Sequence, residues 1–169
     1  YYDVNQVFPP ADSFRDEDGK HHLSWRVHIL PYLDQNELYR EFHLDEPWDS
    51  PHNKKLIARM PDVYKNFSLT PSPKASSELG QTTFQAPIGE DTAFGGTTSA
   101  EFQKFTDGTS NTVVLVEVKP EKSVPWTAPQ DYEFDPKNPL AGLRVGVDGR
   151  WLGAFADGSV RQLRSDIPP

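Results

Sequence analysis

Residues 143–164 read LRVGVDGRWLGAFADGSVRQLR, and their punctuation decides the fold class. Two Asp-Gly pairs, Asp148-Gly149 and Asp157-Gly158, cut the stretch into three short runs. Asp-Gly suits a two-residue hairpin turn because both central positions can take positive φ. Strand, turn, strand, turn, strand predicts a three-stranded antiparallel meander. Upstream, residues 112–117 (TVVLVE) are apolar on both faces and read as a buried strand, introduced by a turn at Asp107-Gly108-Thr109-Ser110-Asn111. Residues 82–89 (TTFQAPIG) can supply one more strand.

The first half of the chain has a different period. Residues 24–53, SWRVHILPYLDQNELYREFHLDEPWDSPHN, hold three helix-start signals and proline stops. Ser24 can cap a short helix through Leu30, which Pro31 ends or kinks. Asp34, with Glu37 three residues on, has the spacing of a capping box, and Leu33, Leu38, Tyr39 and Phe42 make one apolar face. Asp49-Ser50-Pro51 opens a third helix with Leu56, Ile57 and Met60 inward, stopped by Pro61. Each cap contributes about 1 kcal/mol. Helices first and sheet second predict an α+β domain over 1–169, in which short N-terminal helices pack on a C-terminal antiparallel sheet. The helical part with its leading segment spans 1–64, a Ser/Thr/Pro-rich loop spans 65–85, and the β part spans 86–169.

Composition narrows the classes of partner. With 36% hydrophobic residues but ten Phe, six Tyr and four Trp, the core is expected to be built around rings. A net charge of −8 repels phosphate backbones and anionic membrane surfaces, so nucleic acid is not an expected partner. There is no cysteine, which excludes disulfides and thiolate metal sites. No apolar run approaches the roughly eighteen residues of a membrane span. The opening YYDVNQVFPPA reads as the middle of a longer polypeptide.

Five blocks carry a resemblance: SWRVHILPYL (24–33), LDEPWDSPHNKKL (44–56), FTDGTSNTVVLVE (105–117), VPWTAPQDYEFD (124–135) and FADGSVRQL (155–163). In this order they resemble domain-of-unknown-function family 1559, a bacterial family abundant in planctomycetes and sometimes filed under a solute-binding heading. The likeness runs from about Phe8 to Leu163. Many members begin with a type IV prepilin-like leader and a long hydrophobic helix, leading into a stretch that residues 2–11 resemble. The resemblance therefore implies a pilin-like, non-catalytic head of an exported protein, at the cell surface, in the periplasm or outside the cell. Such a head would act through protein partners or self-assembly, including filaments, and would meet a membrane only through a preceding helix. Many members also carry a His ten residues before the last Asp-Gly. Val147 stands there in this chain, so a role for that His does not transfer.

Candidate sites are few. Asp16 and Asp18 have the opening spacing of a Ca2+ loop, and Asp107 with Thr109 and Asn111 is a second run of hard oxygen ligands. Minor pilins sometimes bind calcium, which makes Ca2+ the one cation worth testing. Neither run reaches the bidentate Glu of an EF-hand, and Asp-Gly is ordinary turn chemistry. His21, His22, His28 and His52 match no zinc spacing and are expected at the surface. Asp45, Glu46, Asp49 and His52 surround Trp48 as carboxylates surround a ring in a sugar cleft, but the favoured reading is a helix cap at Asp49 or Ser50 beside Trp48 as a core plug. Trp48, Trp126 and Tyr132 are the candidate ligand or partner contacts for an alternative glycan-binding module, with core burial the plain reading of Trp126. No serine-hydrolase elbow or phosphate-binding Gly loop is present, and no enzyme is expected.

Overall fold

Ser24 opens the helical half as its sequence suggests. The computed structural model describes residues 2–5, 9, 23–65, 80–89, 92–94, 105 and 107–166. Helix α1 is Tyr2–Asn5, α2 is Trp25–His28 and α3 is Asn36–Glu41; 3-10 turns cover Leu30–Leu33, Asn53–Arg59 and Asp62–Tyr64. The Ser24 hydroxyl accepts the Arg26 N–H at 3.2 Å, satisfying a donor that the first turn leaves free. α2 ends at His28, and Pro31 lies in the first turn of the separate 3-10 element Leu30–Leu33, so the α-helix stops just before the proline. The Asn5 amide reaches the Tyr32 hydroxyl at 2.9 Å and ties α1 to that turn.

Asp34 does not cap α3. It ends the Leu30–Leu33 turn with φ of 57°, and Gln35 precedes α3 without a side-chain cap bond. An N-cap needs extended backbone, whereas Asp34 is held in the left-handed region, which Asp tolerates better than most residues. The Ser50 hydroxyl accepts the Asn53 N–H at 3.1 Å, but the 3-10 turn it leads into starts only at Asn53, after His52, so Pro51 does not take its first position; the turn ends at Arg59, before Pro61.

The second half is sheet, and the chain is an α+β fold. Strands β2 (Phe84–Gln85), β4 (Val113–Glu117), β7 (Arg150–Phe155) and β8 (Val160–Arg164) form a four-stranded antiparallel sheet in that order. β1 (Gln81–Thr82) pairs antiparallel with β5 (Val124–Pro125), and β3 (Pro87–Ile88) pairs parallel with β6 (Tyr132–Glu133). The expected single strand at 82–89 is therefore three dipeptides with three partners. Thr82 accepts the Phe84 N–H in its side chain, and Pro87 has no N–H to donate, so one continuous ladder cannot form.

The three-stranded meander is also corrected. A hairpin forms at Asp157-Gly158, with five paired positions between β7 and β8. Its connection is the three residues Ala156, Asp157 and Gly158: Gly158 has φ of 82°, Asp157 does not take positive φ, and the Gly158 N–H closes the turn on the Phe155 carbonyl. The expected two-residue turn is therefore not the one that forms. LRVGV makes no strand, because β4 occupies the edge of β7 that it would need. It is held by a bridge between Val118 and Leu143, by the Arg144 N–H on the Glu117 carbonyl and by the Gly146 N–H on the Arg150 carbonyl, while Val145 and Val147 remain exposed.

Trp126 is the centre of the helical core. It is fully buried, meets Phe42 edge-on at 5.8 Å and stacks on Tyr64 at 5.7 Å, with its indole N–H donating to the Ile57 carbonyl at 3.0 Å. Leu23, Val27, Leu30, Leu38 and Leu56 surround it. Gly80 closes this arrangement: its carbonyl accepts the Trp126 N–H, its φ is +80°, and a Cβ there would lie 2.4 Å from the Ile57 carbonyl oxygen. Gly80→Ala combines a left-handed backbone with a backbone clash. It should lower the unfolding free energy by at least ~2 kcal/mol, read from the midpoint of a urea titration.

Candidate functional site

The alternation of β7 puts Trp151, Gly153 and Phe155 on one face of the sheet. β8 sets Leu163 opposite Trp151 and Arg161 opposite Gly153. On the other side, Val113 pairs with Phe155 while Leu115 pairs with Ala154, so one extra residue bulges out of β4. That bulge brings Val113 and Val116 onto the same face, which a regular strand would not do. Tyr132, Phe134, Leu140 and Leu143 wall the groove these residues floor, and the whole encloses a cavity of about 870 Å3. This is the size of a small-molecule or side-chain cluster site.

Gly153 shapes the floor. A Cβ there would meet the Trp151 ring at 3.0 Å and Leu163 at 3.7 Å, so the indole lies along the bare backbone. The polar groups at the rim are held by their neighbours. Arg161 stacks over Phe155 at 4.3 Å, donates to the Ser110 carbonyl at 2.9 Å and reaches Asp157 at 3.1 Å. Arg164 pairs with Asp166 at 2.5 Å. Asp157 is held below the usual carboxylate range by hydrogen bonds from the Ser159 side chain and backbone, helped by Arg161. What the groove offers is apolar and aromatic surface with a neutralised rim, a site for contact.

Behind the groove lies a buried ion pair. The Arg26 side chain is 0% exposed and that of Asp131 4%, at 2.7 Å from each other. Arg26 also donates to the Phe84 carbonyl at 2.8 and 3.1 Å and to the Ser24 hydroxyl at 2.8 Å, and it stacks over Trp25 at 4.7 Å. Asp131 accepts the Ala86 N–H at 2.8 Å and the Trp25 indole N–H at 3.1 Å. Burial pushes the Asp131 carboxyl upward, opposed by the Arg26 charge and these donors. The Tyr64 hydroxyl, raised by burial, donates to the Arg26 carbonyl at 2.8 Å.

A family model described as a protein of unknown function (DUF1559) matches residues 1–152. The chain belongs to that family. The match ends within β7, so Phe155 and all of β8 lie past the matched residues. No curated protein and no solved structure matches the chain.

Within this DUF1559 chain the candidate residues separate. Asp16, Asp18, His21 and His22 lie outside the described residues. Asp107 and Asn111 share one exposed turn, closed by the Asn111 amide donating to the Asp107 carbonyl at 2.9 Å. Among the described residues no group of three His, Asp or Glu side chains is placed to hold a metal. Trp126 is 0% exposed and Tyr132 8%, so neither forms an exposed stacking rim; Tyr132 instead walls the groove, and Trp48 packs partly buried against the helical core.

Of the carboxylates near Trp48, Glu46 belongs to a clasp. Buried Asn53 donates to the carbonyls of His43, Glu46 and Pro47 and accepts the His43 N–H. His43 stacks flat on His52 at 3.6 Å and pairs with Glu46 at 2.8 Å. That contact with His43, then one with Ser50, draws the Glu46 pKa down. His28 departs from the surface position expected of it: the protein encloses it and lowers its pKa from 6.5 to about 4. The groove residues Trp151, Phe155, Leu163 and Val113 were not singled out from the sequence. The W-x-G-x-F spacing in β7 is the signal that points to them.

Two outcomes follow. Arg26→Met strands a buried carboxylate and should destabilise by ~3–5 kcal/mol in urea unfolding, while adding Asp131→Asn, which carries no charge and can still accept the Ala86 N–H, should recover part of the loss. The depressed His28 pKa means the unfolded chain binds a proton that the fold refuses. This contribution is fully present above pH 6.5 and lost as pH falls toward 4, by about 1.4 kcal/mol per unit. His28→Leu should flatten that slope in urea midpoints measured from pH 7 to 4. Comparing the two proteins removes the opposite effect of Asp131, which favours folding at low pH and fades as pH rises through its raised pKa.

Proposed function

We propose that this chain is a non-catalytic contact domain, the globular head of an exported, pseudopilin-like or membrane-anchored surface protein, and that the groove on the β4–β7–β8 face is its working surface. The observation that carries the reading is the groove's lining. Half-buried Trp151, Leu163 and Val113 present apolar and aromatic area over a buried floor of Val116 and Phe155, while Arg161, Arg164 and Asn111 spend their donors on neighbouring carbonyls and carboxylates. Rings supply contact area at low entropic cost, which suits an interface more than a reaction. The family resemblance supplies the exported, assembly-related setting. The occupant that fits is an apolar segment of a protein partner.

The alternative is a glycan-binding module; of its candidate contacts Trp126 and Tyr132 are buried, which leaves half-buried Trp48 to offer a face to a sugar. The contact reading is tested by titrating the 15N-labelled chain with an apolar helical peptide and mapping amide shifts. Shifts confined to 113–116, 151–155 and 163 are expected. Leu163→Glu should weaken binding at least ~tenfold, since a charge pressed into an apolar contact forfeits well over 1.4 kcal/mol. Shifts scattered over the surface, or binding indifferent to Leu163→Glu, would remove the reading.

A further inference from the structure

β8 ends the sheet, and among the described residues no strand pairs with its outer edge. Its hydrogen-bond parity is set from both ends: Phe155 N–H donates to the Ser159 carbonyl, and Ser165 N–H to the Gly149 carbonyl. Antiparallel pairing alternates, so Arg161 and Leu163 turn their backbone groups toward β7. Val160, Gln162 and Arg164 therefore turn theirs outward. Such an edge is a template for another strand unless charge or proline guards it. Here the guards are withdrawn. Arg161 is drawn inward over Phe155 to Ser110 and Asp157, and Arg164 is neutralised by Asp166. Val160 is left 64% exposed at the edge.

We infer that β8 is a homodimer interface, pairing antiparallel with β8 of a second copy about a two-fold axis at Gln162. In that register Gln162 faces Gln162 of the second copy, Val160 faces Arg164, and Arg161 faces Leu163. No like charges stand directly opposite, which would be destabilising. The three outward residues each meet an outward partner, and every such pair exchanges two backbone hydrogen bonds. Shifting the register by one residue would set outward groups against inward ones. Shifting it by two would bring either Val160 opposite Gln162 and leave Arg164 unpaired, or the reverse, with fewer bonds. The arrangement also joins the two sheets through Leu163, so that the two grooves become continuous across the axis. A second copy is thus the occupant that charge, register and groove continuity all fit.

The inference does not rest on the groove's proposed role, because its test reads strand pairing. Light scattering coupled to size exclusion should give twice the 19.1 kDa chain mass at high protein concentration. Gln162→Pro removes only an outward N–H and leaves the β7–β8 ladder intact. It should raise the dimer dissociation constant at least ~tenfold with an unchanged far-UV spectrum. The chain has no cysteine, so Gln162→Cys reports alone: under mild oxidation it should form a covalent dimer, whereas Val147→Cys on an exposed loop should not. A monomer at every concentration overturns the proposal. So does a dimer that survives Gln162→Pro, or one that cross-links equally well through Val147→Cys.

Discussion

The Arg26–Asp131 pair is the constraint around which both halves of the chain are arranged. A guanidinium removed from water must have its donors met in a planar fork, and a buried carboxylate must be met by donors in turn. Arg26 comes from α2, which Ser24 starts; its acceptors come from β2 and from the segment leading into β6. Asp131 then takes the Ala86 N–H between β2 and β3. Three segments distant in sequence can satisfy these groups together in one relative placement. Trp126, a few residues before Asp131, is carried into the helical core by the same placement.

That placement also builds the groove. In an extended segment neighbouring side chains point to opposite sides, so while Asp131 turns to Arg26, Tyr132 turns to the sheet. Its hydroxyl donates to the Pro139 carbonyl at 3.0 Å, which holds the wall that Leu140 and Leu143 complete. The Val113 bulge and the bare backbone at Gly153 then set the floor. The ion pair and the groove are two sides of one layer: the polar side carries alignment, and the apolar side is available for contact.

Local chemistry was legible wherever a residue and its immediate neighbours complete the interaction. The Ser24 cap, the proline stop at Pro61, the presence of a hairpin at Asp157-Gly158 and the ring-built core around Trp126 were read correctly for that reason. Asp34 misled because its role depends on how the Leu30–Leu33 turn ends, and that ending spends it in a left-handed conformation. LRVGV misled because alternation and a following Asp-Gly cannot reveal that β4 has already taken the edge of β7. Asn53 passed unnoticed for a similar reason: its three carbonyl partners converge only when the loop closes over it.

By itself, then, the sequence determined the division into a helical first half and a sheet second half, several of the starts and stops, and the family. It did so through capping groups, turn dipeptides and apolar period, all of which act within a few residues. Tertiary structure alone decided which strand neighbours which, that Arg26 and Asp131 meet across 105 positions, and that Val113, Trp151, Phe155 and Leu163 share one groove. Those outcomes depend on competition among distant segments for the same sheet edge and the same buried donors. Such competition is settled by the packing of the whole chain, which a local pattern does not contain.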